Sequence, residues 1–349
     1  MTPDGGAEAL QLSSFLMGLL GGLALFLYGM DQLTGAMKSA AGAGLQRLLA
    51  RLTRNRVKAA LAGAVTTAVI QSSSVTTVLI VGFVSAGLMS LSQSIGVIMG
   101  ANVGTTVTAQ IIAFKVTAYA LALIAIGFGM MFFKRHERIV QYGAMVMGLG
   151  LLFFGMDLMG DAARPLRSYE PFIAAMRQMD SRWFGILIGA GFTALIQSSS
   201  AATGVIIVLA AQGFISLEAG IALAFGANIG TCVTALLAAI GKPTEAVRAA
   251  LVHVIFNVGG VLIWLWLIDE LAQLVTWISP KSPELIGVDR LAAETPRQIA
   301  NAHTVFNIAN TLVFIWFVTP LAWIVRKMVP ERDTDDVRIK PKYLDDILL

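Results

Sequence analysis

The 349-residue chain contains few cysteines and few charges. Its single cysteine, Cys232, cannot form an internal disulfide or complete a thiolate metal site. Charged residues make up 13% of the chain and hydrophobic residues 56%, whereas about 25% of the residues in a soluble domain are charged. The composition therefore predicts a membrane protein whose fold has no covalent cross-link.

Two further motifs are absent. The phosphate-binding loop G-x-x-x-x-G-K-[ST] has only a partial match at residues 241–244, which lacks the first glycine, so ATP-driven transport by this chain alone is disfavoured. Asp4 and Glu8 precede the first apolar run, and no basic segment does. We therefore do not expect a cleaved signal peptide.

The chain is internally duplicated. A shift of 126 residues aligns the segment around Gln71 with the one around Gln197, without a gap. Within residues 61–83, 12 of 23 positions are identical to their partners, and within residues 100–109 the number is 8 of 10. This identity exceeds what shared hydrophobicity would give. It indicates a duplication, which is an organisation typical of transporters.

Most apolar runs reach the ~20 residues that a membrane crossing needs. The crossings are 14–37, 91–114 and 116–133 in the first repeat, and 140–158, 217–240 and 246–268 in the second. The run 57–88 differs, because Gln71-Ser72-Ser73-Ser74 divides it into halves too short to cross, which predicts a re-entrant helical hairpin. A re-entrant hairpin returns to the side from which it enters, so the first repeat crosses the membrane three times. Because this number is odd, the second repeat enters the membrane in the opposite orientation.

The predicted fold class is an all-α polytopic membrane protein, an inverted-repeat transporter with two re-entrant helical hairpins. Its predicted parts are an N-terminal segment 1–13, repeat 1 at 14–138 with hairpin 57–88, repeat 2 at 139–268 with hairpin 183–215, an interfacial loop 269–298, a final transmembrane helix 299–325 and a cytoplasmic tail 326–349.

Basic residues predict the orientation in the bilayer. With the N-terminus outside, 17 of the 25 Lys and Arg residues fall in cytoplasmic segments, as the positive-inside rule requires. We therefore expect a multi-pass protein of the cell inner membrane, with its C-terminus in the cytoplasm. The basic residues between Lys38 and Lys58 indicate topology, so no nucleic-acid partner is expected.

The break in each hairpin predicts an anion site. The second half of each hairpin begins at the serine run, so its unpaired backbone N–H groups and its positive dipole end point to the membrane midplane. The serine hydroxyls add donors, and symmetry brings the two breaks together. The alternative to an anion site is that the serine hydroxyls only bond to backbone carbonyls of the preceding turn. This alternative explains a single serine run well, but it explains two runs at matching repeat positions less well. The predicted anion ligands are Gln71, Ser72, Ser73, Ser74, Gln197, Ser198, Ser199 and Ser200.

Oxygen ligands near the same breaks predict a cation site. The first half of each hairpin ends in free carbonyls, which suit a hard cation together with hydroxyl oxygens. Helix packing explains the glycines of the paired elements 100–106 and 226–232 but not their asparagines, so ligation and pure packing both stay open for these. The predicted cation ligands are Ser73, Ser74, Thr77, Asn102, Thr105, Ser199, Ser200, Thr203, Asn228 and Thr231.

A second recurring pattern is A-x-x-H-x-x-F-N. It places His253 one helical turn before Asn257, and His303 one turn before Asn307. Hydrogen bonding between helices and a proton-sensitive gate both explain this pattern.

Lys and Arg are absent from the middle of every predicted crossing. Helix dipoles of roughly half a charge each do not neutralise a phosphate-like anion or offset its desolvation. A cation must enter with the anion, which favours a symporter that uses Na⁺ and couples the two ligands.

The paired Gln-Ser-Ser-Ser runs and the paired Gly-Ala-Asn-[Val/Ile]-Gly-Thr elements resemble those of the type II sodium/phosphate cotransporters, in particular their bacterial members. The resemblance covers about residues 14–325. It implies Na⁺-driven uptake of inorganic phosphate, with phosphate and Na⁺ surrounded by the two serine runs. Cys232 replaces the threonine found at position 106 of the first repeat, so this pair is not a symmetric ligand pair. Many bacterial relatives add a PhoU-like C-terminal domain, for which the tail here is too short.

Other functions fit the sequence less well. An intramembrane hydrolase needs one activated serine, whereas this chain duplicates its serines and has no nucleophile elbow, so we expect no enzyme. A sensor without transport would keep a costly buried polar cavity without use. Arsenate or sulfate as substrate and H⁺ as coupling ion stay open. We expect Na⁺ as the coupling ion, no other cofactor and no transition metal, and nothing in the sequence specifies an oligomeric state.

Overall fold

The computed structural model describes residues 12–41, 55–114, 117–133, 136–165 and 181–331. Within these ranges every regular secondary-structure element is a helix. They are α1 (Leu12–Ala41), α2 (Arg56–Ile70), α3 (Ser73–Ser85), α4 (Leu91–Ile112), α5 (Ala120–Phe132), α6 (Glu137–Ala163), α7 (Arg182–Ile196), α8 (Ser199–Ala211), α9 (Leu217–Gly230), α10 (Cys232–Ala239), α11 (Thr244–Trp264), α12 (Ile268–Ile278), α13 (Gly287–Phe314) and α14 (Val318–Met328). Most of the predicted N-terminal segment, the basic loop 42–54 and the tail beyond residue 331 lie outside the described residues.

The chain is a membrane protein by the length and composition of its helices. Within the described ranges, six helical stretches are long and apolar enough to cross a bilayer. They are Ser13–Ala40, Leu91–Ile112, Glu137–Ala163, Leu217–Ala239, Thr244–Ile278 and Gly287–Met328. Their exposed faces carry large hydrophobic side chains such as Leu20, Leu262 and Trp266, as expected for surfaces in contact with lipid.

The duplication is visible in the helix bounds. The bounds of α7 and α8 equal those of α2 and α3 shifted by the same 126 residues, and α9 begins 126 residues after α4. Each pair of short helices is followed by a glycine with positive φ, Gly87 at 69° and Gly213 at 71°, because a side chain strains this backbone conformation. The two repeats therefore fold into the same local structure.

Glycines hold each repeat together. The α2–α4 contact is close because a Cβ at Gly63, Gly100 or Gly104 would collide with backbone atoms of the opposite helix. The same holds for α7 and α9 at the matching positions Gly189, Gly226 and Gly230. Small residues let membrane helices approach closely and gain dispersion energy, so packing accounts for these glycines.

Several predicted crossings differ from the helices. The run 116–133 forms a 3₁₀ turn and the 13-residue α5, about 20 Å long and too short to cross alone. The run 217–240 is divided at Thr231 into α9 and α10. The predicted interfacial loop 269–298 is mostly helical, since α12 and α13 leave only 279–286 between them, and the predicted last crossing 299–325 extends from α13 through a 3₁₀ turn into α14. Hydrophobic runs did not show these breaks, because apolar residues continue through them.

Candidate substrate site

Each serine run forms the turn of a helical hairpin. α2 ends at Ile70 and α3 begins at Ser73, and Thr67 Oγ1 donates to Thr76 Oγ1 at 2.9 Å across the turn. Gln71 at the turn adopts the left-handed conformation with φ 59°, and Gln197 does so with φ 53°. Non-glycine residues with positive φ are uncommon and concentrate at functional sites.

The first serine of each run caps the helix that follows. Ser72 Oγ accepts a hydrogen bond from Val75 N at 3.3 Å, and Ser198 Oγ accepts one from Ala201 N at 3.2 Å. This is the ordinary N-cap arrangement. It occupies the oxygen as acceptor and leaves the O–H group able to donate to an anion.

The two hairpin turns touch each other. Ser200 Oγ of the second hairpin donates to Gln71 O of the first at 3.4 Å. Both are tied to Thr108 of α4, which lies 3.4 Å from Ser200 Oγ and donates to Gln71 Oε1 at 2.6 Å. The serine run of each repeat therefore lies beside the other, as the duplication predicted.

The first hairpin also contacts the break between α9 and α10. Ser74 Oγ lies 3.0 Å from Thr231 Oγ1. This bond and the one between Ser200 and Thr108 both join a serine of one repeat to a threonine on the glycine-rich helix of the other repeat. The turns of the two hairpins and the two glycine-rich helices, α4 and α9, therefore meet at one place.

A cavity of about 360 Å³ opens onto this point and is called cavity 1. Its size is within the usual range for small-ligand sites. It is lined by Leu23, Leu27, Met30, Asp31, Thr34, Lys38, Gln71, Ser72, Phe192, Ile196, Ser198, Ser200, Ala201 and Val205. The N-termini of α3 and α8 therefore lie beside it, where their dipoles favour an anion.

Four hydroxyls near the turns have no hydrogen bond to any described residue. Ser73 and Ser199 begin α3 and α8 and are 3% and 4% exposed. Thr77 Oγ1 and Thr203 Oγ1, one turn further on, are fully buried and unpartnered. Buried polar atoms without partners are rare, so these hydroxyls are available to ligands.

Other predicted site residues are bonded elsewhere. Gln197 is exposed and does not line cavity 1. Thr105 Oγ1 donates to Ala101 O and Asn102 Nδ2 to Ile98 O, each within α4. These are intrahelical bonds to carbonyls of the preceding turn, and the predicted role of both residues as cation ligands stays a prediction. Asn228 faces α13 and bonds there to His303 and Asn307.

Sequence reasoning missed Thr108 and the α1 residues. Thr108 belongs to the strongly matched block 100–109, so its identity with position 234 was an available signal. Asp31, Thr34 and Lys38 reach cavity 1 because α1 packs beside the hairpin turns. The sequence carries no signal for that packing.

Thr108→Val is expected to loosen the contact between the hairpin turns. It removes the bonds to Gln71 and Ser200 while keeping the shape of the side chain, at a cost of about 1–3 kcal/mol for the unpartnered groups. We expect a lower Tm in detergent and slower transport. Thr106→Val is the matched control, since Thr106 is equally buried and bonds only to Val103 O of its own helix. Equal effects of both changes would contradict this role of Thr108.

The sequence of this chain matches that of a known protein family. Residues 25–161 and 171–278 match the family described as Na+/Pi-cotransporter. The chain belongs to this family. The match contains both hairpins and both glycine-rich helices, so the family's sequence pattern coincides with the site. No solved structure matches the chain.

Individual relatives carry two kinds of names. The "Uncharacterized protein YqeW" of Bacillus subtilis is 35% identical over 75% of this chain and 85% of its own length. The "Putative inorganic phosphate export protein YjbB" of Escherichia coli K12 is 30% identical over 78% of this chain, which spans 50% of that protein. The human "Sodium-dependent phosphate transport protein 2C" is 43% identical over 24% of this chain and 15% of its own length.

Proposed function

We propose that this protein carries inorganic phosphate across the membrane together with Na⁺, by alternating access between two inverted repeats. The observation that carries the proposal is the contact of Ser200 with Gln71 beside cavity 1. Two helix N-termini lie beside one small cavity, which is lined by Ser72, Ser198 and Ser200; Ser73 and Ser199 are the next residues in the chain after Ser72 and Ser198 and do not line it themselves. This arrangement fits a tetrahedral oxyanion with several acceptor oxygens.

The charges that line cavity 1 support a coupling cation. Asp31 and Lys38 are the charged residues among its lining residues, and their formal charges cancel. Dipoles of about half a charge do not balance a phosphate of one to two negative charges. Na⁺ held by hydroxyl oxygens, among them the unpartnered Thr77 and Thr203, would supply the missing charge.

A second, smaller cavity supports alternating access. Cavity 2, of about 210 Å³, is lined by Met156 and Asp157, the 126-residue partners of Met30 and Asp31 in cavity 1. The middle of α8 separates the two cavities. There Gly204 packs against Phe26 and Ile112, and a Cβ at Gly204 would collide with Phe26. Cavity 1 is thus lined by residues of both hairpin turns, whereas the residues that line cavity 2 include none of them.

The predicted orientation gives these cavities their sides. Lys38 lies in the last turn of α1, which is the cytoplasmic end if the N-terminus is outside. Cavity 1 would then open to the cytoplasm, cavity 2 to the outside, and the hairpins would be re-entrant from opposite faces.

Transport by purified protein in liposomes tests this function. Labelled phosphate flux is measured with a Na⁺ gradient in either direction, with K⁺ in place of Na⁺, and with a pH gradient alone. We expect flux that follows the Na⁺ gradient and competition by arsenate but weak competition by sulfate. Flux driven by pH alone would identify H⁺ as the coupling ion. Export would appear as preferential outward flux, and absence of phosphate flux under every gradient would contradict the proposal.

A further inference from the structure

The last four helices form a second duplication. The interval is 50 residues, so the 3₁₀ turn Leu265–Leu267 recurs as Ile315–Phe317 and α12 (Ile268–Ile278) recurs as α14 (Val318–Met328). The helices that precede these turns, α11 and α13, carry the two copies of A-x-x-H-x-x-F-N. The repeated sequence pattern therefore belongs to a repeated structural unit.

The two units are related by a local two-fold axis. Trp264 of α11 packs edge-on against Phe306 of α13 with ring centroids 5.9 Å apart. The residues 50 positions away, Phe314 and Phe256, make the same edge-on contact at 5.4 Å. Reciprocal contacts of this kind are the mark of a two-fold relation. Gly260 packs directly on Asn310, its own counterpart 50 residues later, which places this pair near the axis.

Each unit packs against one glycine-rich helix of the main duplication. Phe306 of α13 packs at a tilt of 39° against Phe225 of α9, with ring centroids 4.4 Å apart. Phe256 of α11 shares a hydrophobic cluster with Met99 of α4, and Met99 is the 126-residue partner of Phe225. Thus α13 packs on α9, and its counterpart α11 packs on α4, which is the counterpart of α9. If the two packing arrangements were identical, His253 and Asn257 would contact Asn102 as His303 and Asn307 contact Asn228.

One of these two arrangements is bonded, although Nδ1 of the buried His303 has no hydrogen-bond partner among the described residues. His303 Nε2 lies 3.2 Å from Asn228 Oδ1, and Asn228 Nδ2 donates to Asn307 Oδ1 at 3.3 Å. Asn307 Nδ2 in turn donates to His303 O at 2.8 Å. We call these residues the closed clamp. It holds both polar atoms of the Asn228 side chain on α13.

The other arrangement is not formed. Asn257 Nδ2 donates to His253 O at 2.9 Å, which repeats the internal bond of the closed clamp. Within the described residues, however, both ring nitrogens of His253 and the Oδ1 atom of Asn257 lack hydrogen-bond partners, although both residues are buried. Asn102 Nδ2 instead bonds to Ile98 O of its own helix. We call His253, Asn257 and Asn102 the open clamp.

We propose that the two clamps alternate during transport, so that His253 and His303 are positioning residues for Asn102 and Asn228. This inference rests on the alternating access proposed above. When two repeats exchange conformations, the contacts of one become those of the other. In the opposite-facing state His253 and Asn257 hold Asn102, and Asn228 is released from His303 and Asn307.

The exchange accounts for the unpartnered groups. A buried imidazole and amide oxygen without partners cost free energy in the state described. In the other state Nε2 of His253 and Oδ1 of Asn257 gain Asn102 as their partner, while the matching bonds of His303 and Asn307 to Asn228 are lost. Nδ1 of each histidine has no partner among the described residues in either arrangement. The two states thus have similar energies, which a transporter needs in order to populate both. Each asparagine side-chain oxygen also becomes free for a cation in only one of the two states.

Thiol labelling measures which cavity is open. The single cysteine is first replaced by the residue of the first repeat, Cys232→Thr. Cys232 Sγ donates to Asn228 O and His253 O at 3.6 Å, so threonine is chosen because it keeps a donor, and every labelling ratio is compared with this background. Val205→Cys then reports on cavity 1 and Ala211→Cys on cavity 2, since each lines only one of them. His303→Ala removes a bond of the state described, so we expect slower labelling in cavity 1 and faster labelling in cavity 2. His253→Ala is expected to act in the opposite direction.

The expected change is about threefold in the ratio of the two labelling rates for each bond removed. His303→Gln keeps a donor for Asn228 and is expected to restore the ratio, which a purely structural role of the imidazole would not predict. Shifts of the same direction for His253→Ala and His303→Ala, or unchanged ratios for both, would overturn the proposal. Phosphate flux is measured in parallel. Opposite labelling shifts without phosphate flux would leave the clamps in place and reject only the substrate.

Discussion

Gly100→Ala is expected to prevent folding. The added Cβ would lie against the carbonyl group of Ala60, and backbone of a packed helix does not move aside as a flexible side chain does. Gly226→Ala meets the backbone of Ile186 in the same way. Since α2 and α4 would separate along their whole contact, we expect a loss of more than about 3 kcal/mol. Fluorescence-detected size-exclusion of a tagged protein in detergent measures this as loss of the monodisperse peak.

Gly82→Ala is the matched control for this change. Gly82 lies in α3, and nothing is found within 4 Å of a Cβ built there. Alanine also has the higher helix propensity by about 1 kcal/mol. We therefore expect Gly82→Ala to fold as well as the unchanged protein. Normal expression and stability of Gly100→Ala would show that α2 and α4 are further apart than described.

The double change Ser73→Ala with Ser199→Ala is expected to reduce phosphate transport strongly without loss of stability. Neither hydroxyl has a hydrogen bond to another described residue, so their removal breaks no internal bond. If they donate to phosphate, each lost charge-assisted bond costs about 2 kcal/mol, or roughly 30-fold in affinity. The concentration dependence of phosphate flux in liposomes measures the effect, and Tm in detergent tests the folding.

Ser94→Ala is the control for this double change, because it removes a buried serine hydroxyl that is not part of the proposed site. Ser94 is buried in α4 and donates to Leu91 O at 2.7 Å within its own helix, away from cavity 1. We expect a small change in Tm and unchanged affinity for phosphate. Unchanged transport by the double variant would remove Ser73 and Ser199 from the proposed site, while the family membership would stand.

Much of the fold follows from sequence patterns. The 126-residue duplication and the polar interruptions at Gln71 and Gln197 predicted two hairpins, and both are helix–turn–helix elements with matching bounds. The helix bounds of one repeat predict those of the other, because the patterns that set these bounds, such as the serine N-cap, depend on only a few neighbouring residues. The short α5 and the break at Thr231 were not predicted, since both lie inside continuous apolar runs.

The contacts between the predicted site residues followed from the sequence only in part. That the serine runs meet follows from symmetry, and the structure brings Ser200 to Gln71. The role of Thr108 and the presence of Asp31 and Lys38 beside cavity 1 depend on how α1 and α4 pack. The 50-residue pattern was visible as a motif, but its two-fold relation appears only from the reciprocal contacts of Trp264 and Phe314.

The sequence by itself determined the membrane character, the duplication and the position of the hairpin turns, because composition, identity at a fixed interval and helix capping are properties of short segments. The tertiary structure decided which cavity the hairpin turns line and which asparagine bonds to a histidine. These features differ between repeats that share their sequence motifs. Only the packing around each asparagine distinguishes Asn102, which bonds within its own helix, from Asn228, which bonds to His303 and Asn307, since both asparagines have a histidine and an asparagine at matching positions.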